Sequence, residues 1–285
     1  MVGEESPASG GSGTGPFGAG GSAGAETPPA TSRRTRSELR ALLIDAGLEV
    51  LREDGLGTGA EQLTFKRVFE RLAVTEGVRV TNASVIGRIW QNQAEFQSAV
   101  LATVTTDEFD EQGRSVLSAT IPLVLSSDRS TPEARRSTLR EVMRLAAEAN
   151  LEFGTTSRNW ATVIGVWALA SGARGTGTSD EIYEAMRAGQ DDVEESSVAA
   201  TEAMADFLGL RFRAPLDARR FSAACTALVE GCALRDRAEA GQRSIVLPTG
   251  PGGADQEWTL LGVGMDALAD QFFEVDPEWV PEART

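Results

Sequence analysis

Apolar residues recur at helical spacing from residue 36 almost to the end of the 285-residue chain, and this spacing constrains the fold more than any other feature. In the first segment, Leu39, Leu43, Ala46 and Val50 lie on one face of a helix, because steps of four and three residues separate them. Glycine, proline and serine separate one such segment from the next, and no segment shows a convincing strand alternation. The sequence therefore predicts an all-α fold.

The breaks between these segments divide the chain into a series of predicted helices. Gly55 is expected to end the first helix, and Thr64 is a suitable N-cap for the second. Thr81 or Asn82 caps a third helix that continues to Trp90. The later predicted helices begin near residue 93 and cover residues 131–153, 158–170, 179–208 and 217–238, followed by a last helix that carries Trp258, Leu261, Met265, Leu268 and Phe272.

The third predicted helix has an apolar side and a side of small and polar residues. The apolar side consists of Val85, Ile86, Ile89 and Trp90, and the outward side of Ala83, Ser84, Gly87 and Arg88. Small side chains would let the helix backbone approach the floor of a DNA groove, where Arg88 either contacts guanine in a bidentate manner or holds a phosphate. The alternative is a small helical domain with ordinary solvated charges.

The charge of the chain permits DNA binding without arguing for it. The chain has 27 basic and 42 acidic residues, so its net charge is −15, which would repel a nucleic-acid backbone if it were evenly spread. Residues 33–104, however, carry ten basic and nine acidic side chains, a balance near +1. A near-neutral block of this kind would depend on the placement of a few cations more than on bulk charge.

Histidine is absent from the chain, and this excludes many enzyme mechanisms. A Ser-His-Asp or Cys-His arrangement cannot form, nor can an imidazole metal site. The sequence also lacks a nucleotide-binding loop of the GxxxxGK type. The acidic run Asp191–Glu195 is interpreted as a solvated helix face. We therefore expect no enzyme, no catalytic residues, no cofactor and no metal site.

The two cysteines are predicted to be core residues. Cys225 and Cys232 lie seven residues apart, on the same face of one helix but too far apart to form a disulfide within it. Together with Phe221 and Leu228 they form an apolar series at helical spacing. This pattern indicates buried thiols in a packed helix.

Residues 1–32 have the composition of a disordered tail. They consist mainly of glycine, serine, alanine, proline and threonine, with Phe17 as their only aromatic residue. Arg33, Arg34 and Arg36 follow at the join with the first helix, where they would form either a basic arm for a DNA minor groove or a solubilising boundary. The uncharged helical run between Arg158 and Arg174 is too short to span a membrane, and the N-terminus shows no charged-then-apolar signal pattern, so we expect a cytoplasmic protein with no membrane partner.

Residues 36–104 resemble the DNA-binding half of the TetR family of transcriptional regulators. The stretch VTNASVIGRIWQNQAEF corresponds to the recognition helix and the start of helix 4 in that family. Gly87 stands where the family usually has a phosphate-contacting tyrosine, and Gln93 where it usually has a lysine. The positions that carry the resemblance are Gly55, Thr64, Gly77, Val78, Asn82, Ile86, Trp90, Asn92, Gln93 and Phe96. The later stretch PLDARRFSAACTALVEGCAL is similar to the penultimate helix of many members, which pairs across the dimer.

The resemblance implies three regions and a function. Residues 1–32 would be the tail, residues 33–104 a helix-turn-helix DNA-binding domain, and residues 105–285 a helical domain for effector binding and dimerisation. The chain would be a homodimeric transcriptional regulator, a repressor released from a double-stranded DNA operator by a small-molecule effector. The alternative is a TetR-like helical dimer without DNA binding that acts as a protein-interaction or ligand-binding module.

Three sets of residues follow from the resemblance and the spacing together. The DNA-binding set is Arg33, Arg34, Arg36, Thr64, Lys66, Arg67, Arg79, Thr81, Asn82, Ala83, Ser84, Gly87, Arg88 and Gln93. The effector-binding set contains the large side chains of the middle helices: Phe153, Trp160, Trp167, Tyr183 and Met186. The dimer-interface set is Phe221, Cys225, Leu228, Cys232, Trp258, Met265 and Phe272.

Overall fold

Helices make up most of the chain, and the first four follow the order that the apolar spacing predicts. The computed structural model describes residues 34–54, 62–172, 178–239, 244–250 and 253–280. The first four helices are α1 (Arg36–Asp54), α2 (Phe65–Thr75), α3 (Asn82–Val85) and α4 (Gln93–Ser126). The boundary predicted at residue 104 falls inside α4, which continues past Pro122 to Ser126.

Five further helices follow in the part of the chain that the structure describes, where the predicted predominance of helix is confirmed. They are α5 (Pro132–Thr156), α6 (Arg158–Gly172), α7 (Thr178–Leu208), α8 (Ala218–Glu239) and α9 (Leu260–Phe272). The start of α5 shows why the local sequence was informative. Thr131 accepts a hydrogen bond from the backbone N–H of Ala134, and Pro132 occupies the first helical position, where its missing N–H has no intrahelical partner to lose.

Within the described residues, four short strands interrupt the helices, and the sequence did not predict them. Strand β1 (Leu210–Phe212) pairs antiparallel with β4 (Phe273–Val275), and β2 (Ile245–Leu247) pairs antiparallel with β3 (Gln256–Trp258). Three residues are too few for an alternating pattern to stand out. The prediction that Trp258 belongs to the last helix is wrong, because this residue ends β3 opposite Ile245 and α9 begins after it.

A first hydrophobic core joins the N-terminal helices to two later ones. Its centre is an aromatic group in which the Phe65 and Phe96 ring centroids lie 5.0 Å apart and those of Trp90 and Phe96 lie 4.9 Å apart. Val163 of α6 and Met186 of α7 belong to the same core. The guanidinium of Arg52 also donates a hydrogen bond to the Asn159 side chain, 3.0 Å away, so α1 is tied to α6 by polar as well as apolar contacts.

A second hydrophobic core lies among α5, α7, α8 and α9. Phe221 packs edge-on against Phe272 and Phe273, with ring centroids 5.4 and 5.0 Å apart. Cys225 and Cys232 are partly buried against this core, and burial raises the pKa of the Cys225 thiol to about 12. The prediction that the two cysteines pack with the apolar side of α8 agrees with this placement, although both residues are only partly buried.

Two glycines mark places where helices approach closely. A Cβ atom on Gly47 of α1 would lie 2.9 Å from Cγ2 of Val100 on α4. A Cβ atom on Gly154 of α5 would lie 2.7 Å from the Cβ of Ala233 on α8. Real Cβ atoms do not approach other carbon atoms so closely, so these helix pairs depend on the missing side chain.

A polar network holds the β2–β3 hairpin on α5. The indole N–H of Trp258 donates to Thr249 Oγ1 (2.7 Å), and the Gln256 amide donates to the Glu141 carboxylate (2.8 Å). Burial raises the pKa of Glu141, but hydrogen bonds from Arg144 and Gln256, with the Arg144 charge, outweigh that effect and hold the pKa below its ordinary value. The hairpin is therefore anchored to α5 through β3, which carries Gln256.

Candidate nucleic-acid interface

Helix α2 begins and ends with the local chemistry that its sequence predicts. Thr64 is the N-cap, and its side chain accepts a hydrogen bond from the backbone N–H of Arg67. The helix ends at Thr75, and Gly77 then adopts a φ of +65°, a conformation that favours glycine. Val68 and Leu72 face the first core, so the opposite side of α2 is turned towards solvent.

Helix α3 is a single turn, and the prediction that it continues to Trp90 is wrong. It ends at Val85, because Ile86 leaves the helical conformation and Gly87 adopts a φ of +74°. The backbone N–H of Gly87 donates to the carbonyl of Trp90, 2.8 Å away, and closes a turn in place of the second half of the helix. This turn brings Trp90 against the aromatic centre of the first core, where it is 2% exposed.

The turn also changes which side chains face outward. Val85 and Ile89 are buried as predicted, whereas Ile86, predicted for the apolar side, is 43% exposed. Arg88 is exposed, and it forms no ion pair within the part of the chain that the structure describes. Arg88 therefore faces solvent from the turn that follows α3. It does not lie on a second turn of the helix, as the sequence predicted.

A cleft of about 580 Å³ opens between the starts of α2 and α4 and the single turn of α3. Both longer helices begin there, with Thr64 as the N-cap of α2 and Asn92 as the N-cap of α4. Backbone N–H groups at a helix N-terminus favour a bound anion such as phosphate. The lining residues are Thr64, Phe65, Lys66, Phe69, Asn82, Ile86, Gln91, Asn92 and Gln93.

The structure brings part of the predicted DNA-binding set to this cleft. Thr64, Lys66, Asn82 and Gln93 line it, and the sequence reasoning did not assign Phe65, Phe69, Ile86, Gln91 or Asn92 to it. The exposed members of the set are Arg34, Arg36, Lys66, Arg79, Thr81, Asn82, Ala83, Gly87 and Arg88. Arg33 lies outside the described residues. Phe65 and Phe69 belong to the first core or pack against it, and their spacing is that of core residues, so no local signal would distinguish them as residues that line the cleft.

Several predicted contact residues already have partners within the chain. The Arg67 guanidinium donates a hydrogen bond to the Gln62 side chain at 2.7 Å. Lys66 lies 4.0 Å from the Glu70 carboxylate. Arg71, a neighbouring cation of α2 outside the predicted set, forms an ion pair with Glu53. These exposed or half-exposed pairs contribute little to stability.

The predicted effector-binding residues divide between the two cores. Phe153 and Trp160 pack in the second core, whereas Trp167, Tyr183 and Met186 pack in the first. Trp167 and Tyr183 make an edge-on contact with centroids 5.4 Å apart. The buried indole N–H of Trp167 has no hydrogen-bond partner among the described residues, which is unusual for a buried donor.

The predicted dimer-interface residues face the chain's own core more than its surface. Four of them are less than 10% exposed: Phe221, Trp258, Met265 and Phe272. Cys225, Leu228 and Cys232 are partly buried against the second core. The exposed side of α8 consists of other residues: Arg219, Arg220, Ala223, Thr226, Ala227, Gly231, Leu234 and Arg235. Apolar spacing identifies the buried side of a helix, but it does not say whether the same chain or a partner covers that side.

The acidic run of α7 lies on a charged surface, as predicted. Asp191, Asp192 and Glu195 are exposed, and Glu194 forms an ion pair with Arg219 of α8 at 2.6 Å. No group of three or more cysteine, aspartate or glutamate side chains in the described ranges is arranged to hold a metal ion. No helix among the described residues has the length and apolar character needed to cross a membrane.

Comparison of the chain with protein-family models finds no matching family, and comparisons with curated proteins and with solved structures find no match.

Proposed function

We propose that this chain is a DNA-binding transcriptional regulator of TetR type. The observation that carries the proposal is the meeting of α2, α3 and α4 at one cleft, with two helix N-termini opening into it. Helix-turn-helix proteins hold the DNA backbone with helix N-termini and neighbouring polar side chains, and read bases with the residues that follow. The near-neutral charge of residues 33–104 supports DNA binding that depends on the placement of a few cations more than on bulk charge.

In this mechanism the cleft holds a phosphate of the DNA backbone. The N–H groups at the starts of α2 and α4 donate to the phosphate oxygens, and Lys66 and Gln93 add donors at the rim. Arg88 enters the major groove from the turn after α3, and Ala83 allows a close approach of the backbone. Arg79, exposed before α3, is a further phosphate contact.

The larger helical part would supply dimerisation and control. One recognition element covers few base pairs, so a two-fold dimer is needed to read a palindromic operator. We assign this contact to the exposed side of α8. The unpartnered indole N–H of Trp167, beside Tyr183, supports an effector with a hydrogen-bond acceptor. The dimer would act as a repressor in the cytoplasm. It would leave DNA when the bound effector favours a state of the dimer in which the two α3 turns have a different spacing.

A gel-shift assay on the DNA upstream of the chain's own gene, at low salt, tests the proposal. Arg88→Ala should weaken binding about tenfold or more, because a bidentate base contact contributes roughly 1–3 kcal/mol. Arg136→Ala, an exposed arginine on α5, is the matched control and should bind like the unaltered protein. An equal loss of DNA affinity in both variants would show that Arg88 does not read bases. The absence of any DNA binding at low salt would overturn the proposed function.

The second candidate is a helical dimer that does not bind DNA. The single-turn α3 favours it, since few residues are then held in helical register for base contacts. Glu95 favours it too, because its carboxylate accepts a hydrogen bond from the Gln91 N–H and places negative charge at the start of α4. A dimer in solution that fails to shift any promoter fragment would support this candidate.

A further inference from the structure

The turn after α3 leaves one large apolar side chain uncovered at the candidate cleft. Ile86 is 43% exposed, although apolar spacing places it on the buried side of the helix. The backbone explains this exposure, because Ile86 has an extended conformation (φ −69°, ψ 130°) and Gly87 follows it with a φ of +74°. Val85 and Ile89, by contrast, stay buried. The turn therefore moves Ile86 from the core to the surface that faces the proposed DNA.

Asn82 lies beside Ile86 on the same side of this turn. The backbone N–H of Ile86 donates to the Asn82 carbonyl at 2.8 Å, so the two residues are one helical turn apart, and both line the cleft. Side chains at this spacing are neighbours, with Cβ atoms about 5–6 Å apart. Asn82 is exposed, and its side chain forms no hydrogen bond to the residues that the structure describes. An amide with a free donor and a free acceptor therefore stands next to an aliphatic group.

The backbone that carries this pair is held in place by contacts of its own. The Gly87 N–H donates to the Trp90 carbonyl at 2.8 Å, and Trp90 is 2% exposed in the first core. Isoleucine is branched at Cβ and has few rotamers, so the Ile86 side chain is restricted as well. A Cβ atom added to Gly87 would meet no described atom within 4 Å, so the outer side of the turn is open. The pair is thus fixed in position with room for a ligand beside it.

We infer that Asn82 and Ile86 together recognise one A·T base pair in the major groove of DNA. Adenine presents its N7 acceptor and its N6 donor there, which an asparagine amide binds in a bidentate manner, and thymine presents its C5 methyl group to an apolar side chain. A G·C pair has no methyl group and replaces the N6 donor by the guanine O6 acceptor. An amide beside an aliphatic group therefore matches A·T and not G·C.

This inference rests on the proposed function and adds a specificity to it. Thr64 and Asn92 cap the helices whose N–H groups hold the phosphate, whereas Asn82 and Ile86 belong to the α3 wall of the same cleft. An aliphatic side chain gains nothing from a phosphate, so the base edge is the part of DNA that suits Ile86. Arg88 follows Ile86 by two residues, so the A·T pair should lie within a few base pairs of the guanine that Arg88 contacts.

Selection from a randomised pool of short DNA duplexes, at low salt, provides the first test. The unaltered protein should enrich a site with a fixed A·T pair, and Ile86→Ala should enrich the same site with a weaker preference at that pair. Leu117→Ala is the matched control, because Leu117 of α4 is also 43% exposed and does not line the cleft. The control should enrich the unaltered site. An undiminished A·T preference in Ile86→Ala would overturn the role of this residue.

Replacement of thymine by uracil in the selected duplex removes the methyl group and keeps the base pair. The unaltered protein should bind the uracil duplex about three- to fivefold more weakly, because burying one methyl group contributes about that much to affinity. Ile86→Ala should bind the two duplexes nearly equally. Titration of each thymine position in turn, by gel shift, locates the contact. If no thymine responds in the unaltered protein, Ile86 does not read a methyl group.

Replacement of adenine by 7-deazaadenine tests the Asn82 side of the pair. This base lacks the N7 acceptor, so the unaltered protein should bind it about fivefold or more weakly, whereas Asn82→Ala should not distinguish it from adenine. The sensitive adenine should be paired with the sensitive thymine. Equal losses in Asn82→Ala and in the unaltered protein would assign the adenine contact to another residue.

The outcomes separate failure of this inference from failure of the proposed function. A pool from which no sequence is enriched at low salt would overturn the DNA binding, and the base-pair assignment with it. A site that is enriched but is insensitive to both uracil and 7-deazaadenine would overturn the assignment alone. Thermal unfolding of Ile86→Ala and Asn82→Ala should resemble that of the unaltered protein, because both side chains are exposed.

Discussion

The hydroxyl oxygen of Ser84 lies 2.7 Å from the carbonyl oxygen of Thr81 and 3.3 Å from the Thr81 backbone nitrogen. The side chain that the sequence assigned to DNA contact thus donates to and accepts from the backbone at the start of α3. A one-turn helix has few internal hydrogen bonds, so this local pair stabilises much of its geometry. Ser84 therefore has a structural role in the free protein. Of the four residues predicted to face outward, Arg88 is then the one large side chain available for contact with DNA.

Ser84→Ala should lower the free energy of unfolding by about 1 kcal/mol, the usual cost of losing a capping side chain. If DNA binds, the same variant should bind all sequences more weakly without changing which sequence is preferred. Chemical denaturation measures the first effect, and binding to a set of base-substituted operators measures the second. A changed base preference with unchanged stability would show that Ser84 reads DNA directly.

Gly87→Ala should lower the free energy of unfolding by about 1–2 kcal/mol, because the φ of +74° is strained for any residue with a Cβ atom. The space around Gly87 is open, so steric contact adds nothing to this cost. Gly113→Ala is the matched control: Gly113 is helical and also has open space, so alanine there should stabilise by about 0.5–1 kcal/mol. Equal effects at the two sites would mean that Gly87 is not held in the left-handed conformation.

Gly154→Ala should lower the free energy of unfolding by about 1–3 kcal/mol, because its new methyl group would meet the Cβ of Ala233. Ala233→Gly removes that methyl group and should recover part of the loss. A double-mutant cycle followed by urea denaturation measures the coupling between the two sites. Additive effects would indicate that α5 and α8 separate freely at this point.

Glu230→Gln should stabilise the protein at neutral pH, because burial raises the pKa of Glu230. The glutamate favours the folded state fully only below its unfolded pKa, and that contribution is lost as the pH rises through its folded pKa. The gain from glutamine should therefore be present at pH 7 and disappear near pH 4. Glu202→Gln, an exposed position on α7, should change stability by less than about 0.5 kcal/mol throughout. A gain that does not vary with pH would exclude titration of Glu230 as its cause.

Local sequence signals predicted helix starts well. Thr64, Asn92 and Thr131 each accept a hydrogen bond from a backbone N–H three residues later. Because both partners of such a hydrogen bond lie three residues apart in the chain, the local sequence is enough to predict it. The end of α3 was predicted wrongly because helical spacing continues through Ile89 and Trp90, while the backbone turns at Gly87.

The candidate site was only partly predictable. Arg88 was predicted to face outward and Asn82 to cap the third helix, but the cleft that Asn82 lines also includes Phe65 and Phe69 of α2 and Gln91, which the sequence did not assign to it. The same limit applies to α8 and α9, because their apolar sides, which the sequence assigned to a dimer interface, pack in the second core of the chain.

The sequence by itself determined the helical class, most helix boundaries and the lack of histidine chemistry, because spacing, capping and composition act over a few residues. Only the tertiary structure decided how the large side chains divide between two cores, where α3 ends and whether Ile86 is buried. These outcomes depend on contacts such as that of Gly154 with Ala233, between residues distant in the chain. The free energy of such a contact comes from packing against a partner, which periodicity along one helix does not specify.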